Sequence, residues 1–367
     1  MDAARTRVFA ATADDDPAIR RLLRETPMRG AVSVGFEREP NYFRGADLAG
    51  GVDQTIVAFD AGRLICVGRC TRRPCWVNGG KADAGYLGEL RLAGDARGRF
   101  RILRDGYRFF HTQQGERPAA FYFTSIAADN ERARRVLESG VRGLPRYRFL
   151  AELNTVLIAV PRRPRSGKLN VRAACLEDLP TIVRILNEQA RRRQLAAVWT
   201  EETLRALERH GLPLDRFLIV LDGDEVVACG ALWDQRAFRQ TVIQGYALPL
   251  SFARPILNAA SVVLGIPRLP PPNTVLAHAF LSPLAFVAGS DELLPDFVAA
   301  SLPLAARIGL EFLTLAVPAN DARLPSLRRR FSTRIYRSRL YRVDWPGESR
   351  LELDPHPSAF LPDVALL

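Results

Sequence analysis

Between Tyr86 and Phe110 the spacing of apolar positions changes from one period to another. Tyr86-Leu-Gly-Glu-Leu-Arg-Leu92 alternates large apolar with small or charged residues, the pattern of a strand. Ala93–Arg99 contains Gly94, Asp95 and Gly98 and reads as a turn. Phe100, Leu103, Tyr107 and Phe110 then recur at helical spacing, so a helix is expected from Arg99 onward. The unit is strand, tight basic turn, helix. The first N–H groups of a helix are unpaired and sit at the positive end of its dipole. With Arg97, Arg99 and Arg101 beside it, that end suits a phosphate or pyrophosphate.

Taken in order, the chain opens with a strand-like Arg7–Ala11. A helix follows, started by Asp14–Pro17 and faced by Ile19, Leu22 and Leu23. Pro27–Phe43 is a long connection, too aromatic for disorder. Arg38, Glu39, Tyr42 and Phe43 in it are candidates to line a substrate pocket, although Tyr42 and Phe43 could equally pin the next helix to the core. Gln54–Phe59 and Leu64–Cys70 flank a hairpin turn at Asp60–Arg63, and Gly79-Gly80 leads into the central strand, Gly85–Leu92. Ala119–Ile126 is a continuous apolar run, as in a buried parallel strand. Asn130 starts a helix with apolar positions 133, 136 and 137, which Gly140 ends, and Arg148–Val160 holds two further strand-like stretches.

Residues 161–168 are rich in Pro and Arg and read as a linker. The same order then begins again. Leu169–Ala173 is a strand, Asp178 and Pro180 open a helix to Ala190, and Thr200 caps Glu201–Arg209. Phe217–Leu221 and Val226–Trp233 flank a hairpin turn. Phe238–Asn273 is an insertion, with a helix near Ile256–Leu264 and a Pro-rich break at Pro267–Pro272. Val275–Phe286 is the counterpart of the central strand. Glu292–Ile308 is helical, Phe312–Val317 is a buried strand, Leu324–Phe331 is a helix, and Ile335–Val343 alternates like a closing strand. The chain of 367 residues is therefore expected to form two domains, 1–164 and 165–367.

Arg97-Gly98-Arg99-Phe100-Arg101-Ile102 resembles the Gln/Arg-x-x-Gly-x-Gly/Ala loop of the GNAT N-acetyltransferase superfamily, with Phe100 and Ile102 in place of its two small residues. Asn130-x-x-Ala133-x-x-Val136 is similar to the family's Asn-x-x-Ala helix, and the element order across residues 5–160 matches. The Pro27-Met-Arg-Gly, Arg38-Glu-Pro-x-Tyr-Phe and Tyr86-Leu-Gly-x-Leu-Arg segments resemble bacterial proteins with two such domains. The resemblance implies an α/β (α+β) fold of two tandem GNAT-like domains, each a mixed, mostly antiparallel sheet flanked by helices. It implies an N-acyltransferase that moves an acetyl or other acyl group from acetyl-CoA to an amine by direct attack.

On the same footing, the backbone of Leu90, Arg91 and Leu92 would hold the pantetheine arm and thioester. The turn from Arg97 through Gly98, Arg99, Phe100 and Arg101 to Ile102 would hold the pyrophosphate, and Asn130 would contact pantetheine. Glu89 is the candidate general base, with burial expected to raise its pKa; the alternative is that it points away or pairs with Arg69 or Arg91. Leu137 stands where the family has the Tyr that protonates the leaving thiolate, so that acid is missing unless Tyr107, Tyr147 or another group substitutes. The second half has Val-Ala-Gly-Ser-Asp-Glu at 287–292, two acids and no base, and is expected not to bind CoA. The alternative function is a non-catalytic CoA-sensing or scaffold protein.

Composition changes little in this picture. The chain is 47% hydrophobic and 25% charged, with no basic-then-apolar leader and no apolar run near the ~20 residues of a membrane span, so a cytoplasmic, membrane-free protein is expected. Five cysteines lack zinc-site spacing, and no metal is expected. A net charge of +12 favours polyanions, yet there is no dense basic tail or RNA-binding motif, so a small-molecule or peptide amine is the expected partner rather than nucleic acid. GxSxG, P-loop, HExxH and GxGxxG patterns are absent from the sequence. Nothing in the pattern sets an oligomeric state.

Overall fold

A computed structural model describes residues 6–114, 118–164, 167–264, 268–345, 351–353, 356 and 359–367. Its first half holds β1 (Arg7–Ala10), α1 (Asp16–Glu25), β2 (Val32–Glu37), β3 (Val52–Asp60), β4 (Arg63–Val77), β5 (Gly80–Leu92), α2 (Arg99–Gln113), β6 (Phe121–Ala127), α3 (Glu131–Leu137) and β7 (Arg146–Ala159). Its second half holds β8 (Val171–Ala173), α4 (Leu179–Ala190), β9 (Ala196–Ala197), α5 (Glu201–Ala206), β10 (Phe217–Asp222), β11 (Glu225–Trp233), β12 (Gln240–Tyr246), α6 (Leu248–Leu264), β13 (Thr274–Val275), β14 (His278–Phe286), α7 (Leu294–Arg307), β15 (Phe312–Pro318), α8 (Leu324–Arg330) and β16 (Thr333–Asp344). Among the described residues no helix is long and apolar enough to cross a membrane.

Both halves have the expected mixed sheet with flanking helices, but the two sheets are one. The strands run β1-β3-β4-β5-β6-β16-β7-β15-β14-β11-β10-β8, with β9 added beside β4. The two closing strands are exchanged. β16, which the pattern assigns to the second half, lies between β6 and β7 of the first, with Tyr341 opposite both Thr124 and Phe149. β7 in turn pairs through its C-terminal half with β15, from Phe312 opposite Ala159 to Pro318 opposite Leu153. The apolar positions of β7 explain its reach. Val156 and Ile158 are fully buried in one core with Leu313 and Leu315 of the second half, while Ala151 and Leu153 are buried in another with Phe121, Phe123 and Leu340. Each such burial contributes about 1.5–3 kcal/mol.

Four local expectations differ. Residues 148–160 form one long strand rather than two. Residues 275–286 are divided, Thr274–Val275 pairing with β12 and His278–Phe286 joining the main sheet. The helix of the insertion is longer than expected, Leu248–Leu264, with Pro255 inside it. The long connection 27–43 contains β2, which pairs with β12 in a second sheet, β13-β12-β2, so the connection of one half is clamped by the insertion of the other. Arg165 and Ser166 of the expected linker and Pro267 of the Pro-rich break lie outside the described residues.

Two features set up a cleft. β5 and β6 are parallel and pair only from Ala84 opposite Phe121 to Tyr86 opposite Phe123. Gly85 allows this approach, since a Cβ there would stand 2.4 Å from the Tyr122 ring. Just beyond, β5 bulges: Arg69 of β4 faces Gly88 and Val67 faces Arg91, with Glu89 at φ +53° absorbing the extra residue. Past this point β5 leaves β6, and its backbone from Gly88 to Leu92 has no strand on that side. Trp345, at the end of the exchanged strand, packs its ring 5.6 Å from that of Phe110 and 5.1 Å from that of Tyr122, pinning α2 over the sheet.

Because β16 separates β6 from β7, a chain ending at residue 164 is expected to fold poorly alone. It should show reduced strand signal by circular dichroism and aggregate on size exclusion, and co-expression with residues 165–367 should restore a soluble complex. Leu340→Ala, at a fully buried site on β16, should lower unfolding free energy in urea by about 2–5 kcal/mol.

Candidate functional site

The space between the diverging β5 and β6 opens into a cavity of about 1670 Å³ lined by both halves of the chain. Ordinary small-molecule sites occupy roughly 300–1,000 Å³, so there is room for two reactants. Of the residues expected to hold a cofactor, Leu90, Arg91, Leu92, Arg99, Phe100, Ile102 and Asn130 line it. Arg97, Gly98 and Arg101 stand outside its lining, at the outer side of the turn. Gly98 is the residue before α2, at φ +62°, and Arg101 reaches Asp105 at 3.7 Å. Arg99 is spent on the turn itself: its guanidinium donates to the carbonyls of Gly94 and Ala96. Phe100 is exposed at the lip and Ile102 is buried in the core with Ile19, Leu22 and Val67. Asn130 caps α3, its Oδ1 accepting from Ala133 N at 3.1 Å.

The four candidates from the long connection separate. Arg38 lines the cavity. Glu39 is bound on the other side by Arg20 and Arg24 of α1. Tyr42 is 1% exposed, its N–H donates to Asp16 Oδ1 at 2.6 Å, and Phe43 packs edge-on against it. Tyr42 and Phe43 thus join this connection to the core, the alternative that the pattern left open.

Glu89 faces the cavity from the bulge, in a cluster of arginines. Arg38 donates to its Oε1 from Nε at 2.7 Å and also from Nη2, and Arg69 Nη1 lies 3.6 Å away. Burial pushes the Glu89 pKa up, but Arg38, Arg69 and Arg239 together pull it down further, well below the usual carboxylate range. The expectation of a raised pKa is therefore reversed, because the bulge turns this carboxylate toward three guanidinium groups. Glu89 stays ionised and is a weak base. Arg69 also pairs with Asp53. Arg239, just before β12, donates to the Ala365 carbonyl at 3.1 Å, and burial and then repulsion from Arg38 lower its pKa.

Two tyrosines stand near the place where the family's acid would be. The hydroxyls of Tyr107 on α2 and Tyr147 on β7 are hydrogen-bonded to each other, and both line the cavity. Leu137 packs in one cluster with this pair, Ile126 and Tyr341. Burial pushes Tyr107 up to about 12 and Tyr147 well above its ordinary value, so both are protonated at neutral pH. His278 lies on the wall contributed by the second half, between the hydroxyls of Thr241 at 3.2 Å and Thr314 at 3.1 Å. Burial lowers its pKa to about 4, so it is neutral. Arg239 and His278 carried no signal in the sequence, since neither belongs to a motif: Arg239 is placed beside the pairing of β2 with β12, and His278 by the pairing of β14 with β15. Among the described residues no group of three or more His, Cys, Asp or Glu could hold a metal ion.

No family model matches the chain, and no curated protein matches it. Solved structures do. Saccharomyces cerevisiae N-myristoyltransferase with bound myristoyl-CoA is similar over 98% of this chain and 85% of its own, at 10% identity and a TM-score of 0.60. A second structure of that yeast protein with myristoyl-CoA covers 98% and 90%, at 10% identity and a TM-score of 0.61. A GCN5-related N-acetyltransferase from Sphaerobacter thermophilus covers 95% and 98%, at 12% identity and a TM-score of 0.57. At such identities the likeness is one of fold: this chain has the GNAT fold.

Glu89 has a lower pKa in the folded than in the unfolded chain, where its ordinary value is 4.5. Its carboxylate therefore contributes stability above that pH, and the contribution fades as pH falls below it. Glu89→Gln should be destabilised by on the order of 3 kcal/mol at pH 7, where it leaves buried arginines unpaired. The gap to the wild type, read by urea unfolding, should be smaller at pH 3 than at pH 7.

Proposed function

We propose that this protein is an acyl-CoA-dependent N-acyltransferase, acting on an amine by direct attack on the thioester. One observation carries the reading: β5 bulges at Glu89 and leaves β6, so that bare strand backbone lines a large cavity next to the start of α2. A cleft between two parting strands offers backbone donors and acceptors to an extended amide-bearing arm without disturbing the sheet. Residues 1–164 supply this cleft, and residues 165–367 close its acceptor side through Arg239 and His278. The likeness in fold to proteins with bound myristoyl-CoA supports a CoA thioester as the co-substrate. Acetyl-CoA is the simplest donor, and the size of the cavity leaves longer acyl chains open to test.

In this scheme the backbone of Leu90–Leu92 holds the pantetheine arm and polarises the thioester carbonyl. The N–H groups at the start of α2 face the pyrophosphate. Glu89, ionised and backed by arginines, receives and orients the acceptor ammonium rather than storing its proton. The amine nitrogen forms a bond to the acyl carbon and the carbon–sulfur bond breaks. Of the two protons that the ammonium loses, one ends on the CoA sulfur and one in solvent. The Tyr107–Tyr147 pair, protonated and within the cavity, is placed to deliver the sulfur's proton and to be recharged from water.

Calorimetry with acetyl-, octanoyl- and myristoyl-CoA tests the first step; binding of none of them overturns the reading. With a turned-over amine, Tyr107→Phe should lower kcat roughly 100-fold while leaving KM for the thioester within about twofold. Binding without turnover of any amine leads instead to a non-catalytic CoA-binding protein.

A further inference from the structure

The cavity wall carries an ion pair with unused capacity on both partners. Arg38 gives Nε and Nη2 to one oxygen of Glu89, which leaves Arg38 Nη1 and Glu89 Oε2 buried without a partner. Arg69 Nη1 beside them is likewise unpartnered. Arg38 is 3% exposed and Arg69 is 9% exposed, so these are interior groups rather than surface ones. A buried donor and a buried acceptor left open together are costly unless something else fills them.

The register of the second sheet deepens the imbalance. β2 and β12 pair as far as Glu37 opposite Gln240, and Arg38 and Arg239 stand just beyond that last pair, where Arg38 repels Arg239. Arg38, Arg69 and Arg239 are answered by two carboxylates, Glu89 and Asp53. Further along the wall Arg73 is attracted by Asp363, which stands outside the lining, and the two add no net charge. Among the described residues no carboxylate lies within ion-pair distance of Arg239. Arg239 is left without a carboxylate partner, facing a cavity, beside a carboxylate oxygen that itself lacks a donor.

We propose that the acceptor amine carries a carboxylate of its own, an α-amino acid being the smallest such molecule. Its ammonium meets Glu89 Oε2, and its carboxylate meets Arg38 Nη1 with Arg69 and Arg239 behind it. Each end of such a molecule meets an open group of opposite sign: the ammonium a carboxylate oxygen without a donor, and the carboxylate a guanidinium nitrogen without an acceptor. An amine without an anionic group would leave the guanidinium surplus unanswered. This inference rests on the acyltransferase reading. The product is an N-acyl amino acid, formed with the atom and proton balance given above, with free CoA as the leaving thiol.

The test uses the full-length protein, acetyl-CoA and myristoyl-CoA as donors, and the twenty protein amino acids, each against its carboxamide, with thiol release and product mass as readouts. At least one amino acid should be turned over with a kcat/KM ten or more times that of its carboxamide. Arg239→Gln should reduce that ratio at least tenfold through KM of the amino acid, with KM for the donor unchanged. It should melt no lower than the wild type, because it removes a buried charge that lacks an ion-pair partner; a purely structural arginine would lower the melting temperature instead. Carboxamides turned over as well as the acids, or a ratio that Arg239→Gln leaves unchanged, overturns the proposal. If no amine is acylated, calorimetry decides. Acyl-CoA binding without binding of any amino acid overturns this inference and leaves the CoA site standing. Amino-acid binding that Arg239→Gln abolishes, without acyl-CoA binding, supports the subsite and overturns the acyltransferase reading. Binding of neither overturns both.

Discussion

The placement of β16 between β6 and β7 is the constraint on which the rest of this structure depends. An edge strand needs a partner, and β6 finds it some two hundred residues further along the chain. That exchange merges two sheets into one and holds the halves in a fixed relation. β5 can then part from β6 without unravelling, because β6 is secured on its other side by the Phe123–Arg342 and Ser125–Leu340 pairs. The cleft is thus a local loss of pairing that a long-range pairing makes tolerable. Trp345 extends the same effect to α2, packing on Phe110 and Tyr122 just after the strand ends.

A second, smaller tie works on the other side of the cavity. β2 belongs to a connection of the first half and β12 to an insertion of the second, and neither would be a stable strand alone. Together they bring Arg38 and Arg239 to the bulge that carries Glu89. The cost of burying these charges is part of what makes the place chemically distinctive. Interiors usually replace such groups with apolar ones at a gain in stability, so a buried, incompletely paired cluster on a cavity wall is better explained by a ligand than by folding. The same cluster explains why Glu89 does not behave as an isolated buried acid. Desolvation acts on it as anticipated, and three guanidinium groups outweigh it.

The basic turn illustrates how a motif can be present while its residues divide their work. Arg99 clasps the carbonyls of Gly94 and Ala96, Arg97 and Arg101 face outward, and Ile102 turns into the core. The shape of the turn, more than the charges of its three arginines, meets the cavity. Likewise position 137 holds a Leu, and the hydroxyl that the proposed mechanism uses belongs to a tyrosine on α2 bonded to one on β7.

The sequence by itself determined the periodic elements, their order, its repetition in the second half, and the strand–turn–helix with Asn130 beyond it. These are local: alternation, helical spacing, caps and turn residues act within a few positions of each other. It could also propose Glu89 and Arg38, because both lie in segments whose neighbours mark them. Only the tertiary structure decided which strand closes which half. Alternation makes Ile335–Val343 a strand, and nothing in a strand's period says which edge it will join. For the same reason the surroundings of Glu89, Arg239, His278 and the Tyr107–Tyr147 pair were set by folding. A side chain's charge state and partners are set by what is brought within a few ångströms of it, and here that is done by residues outside its local stretch: Arg38 lies 51 positions from Glu89, and Tyr107 lies 40 from Tyr147.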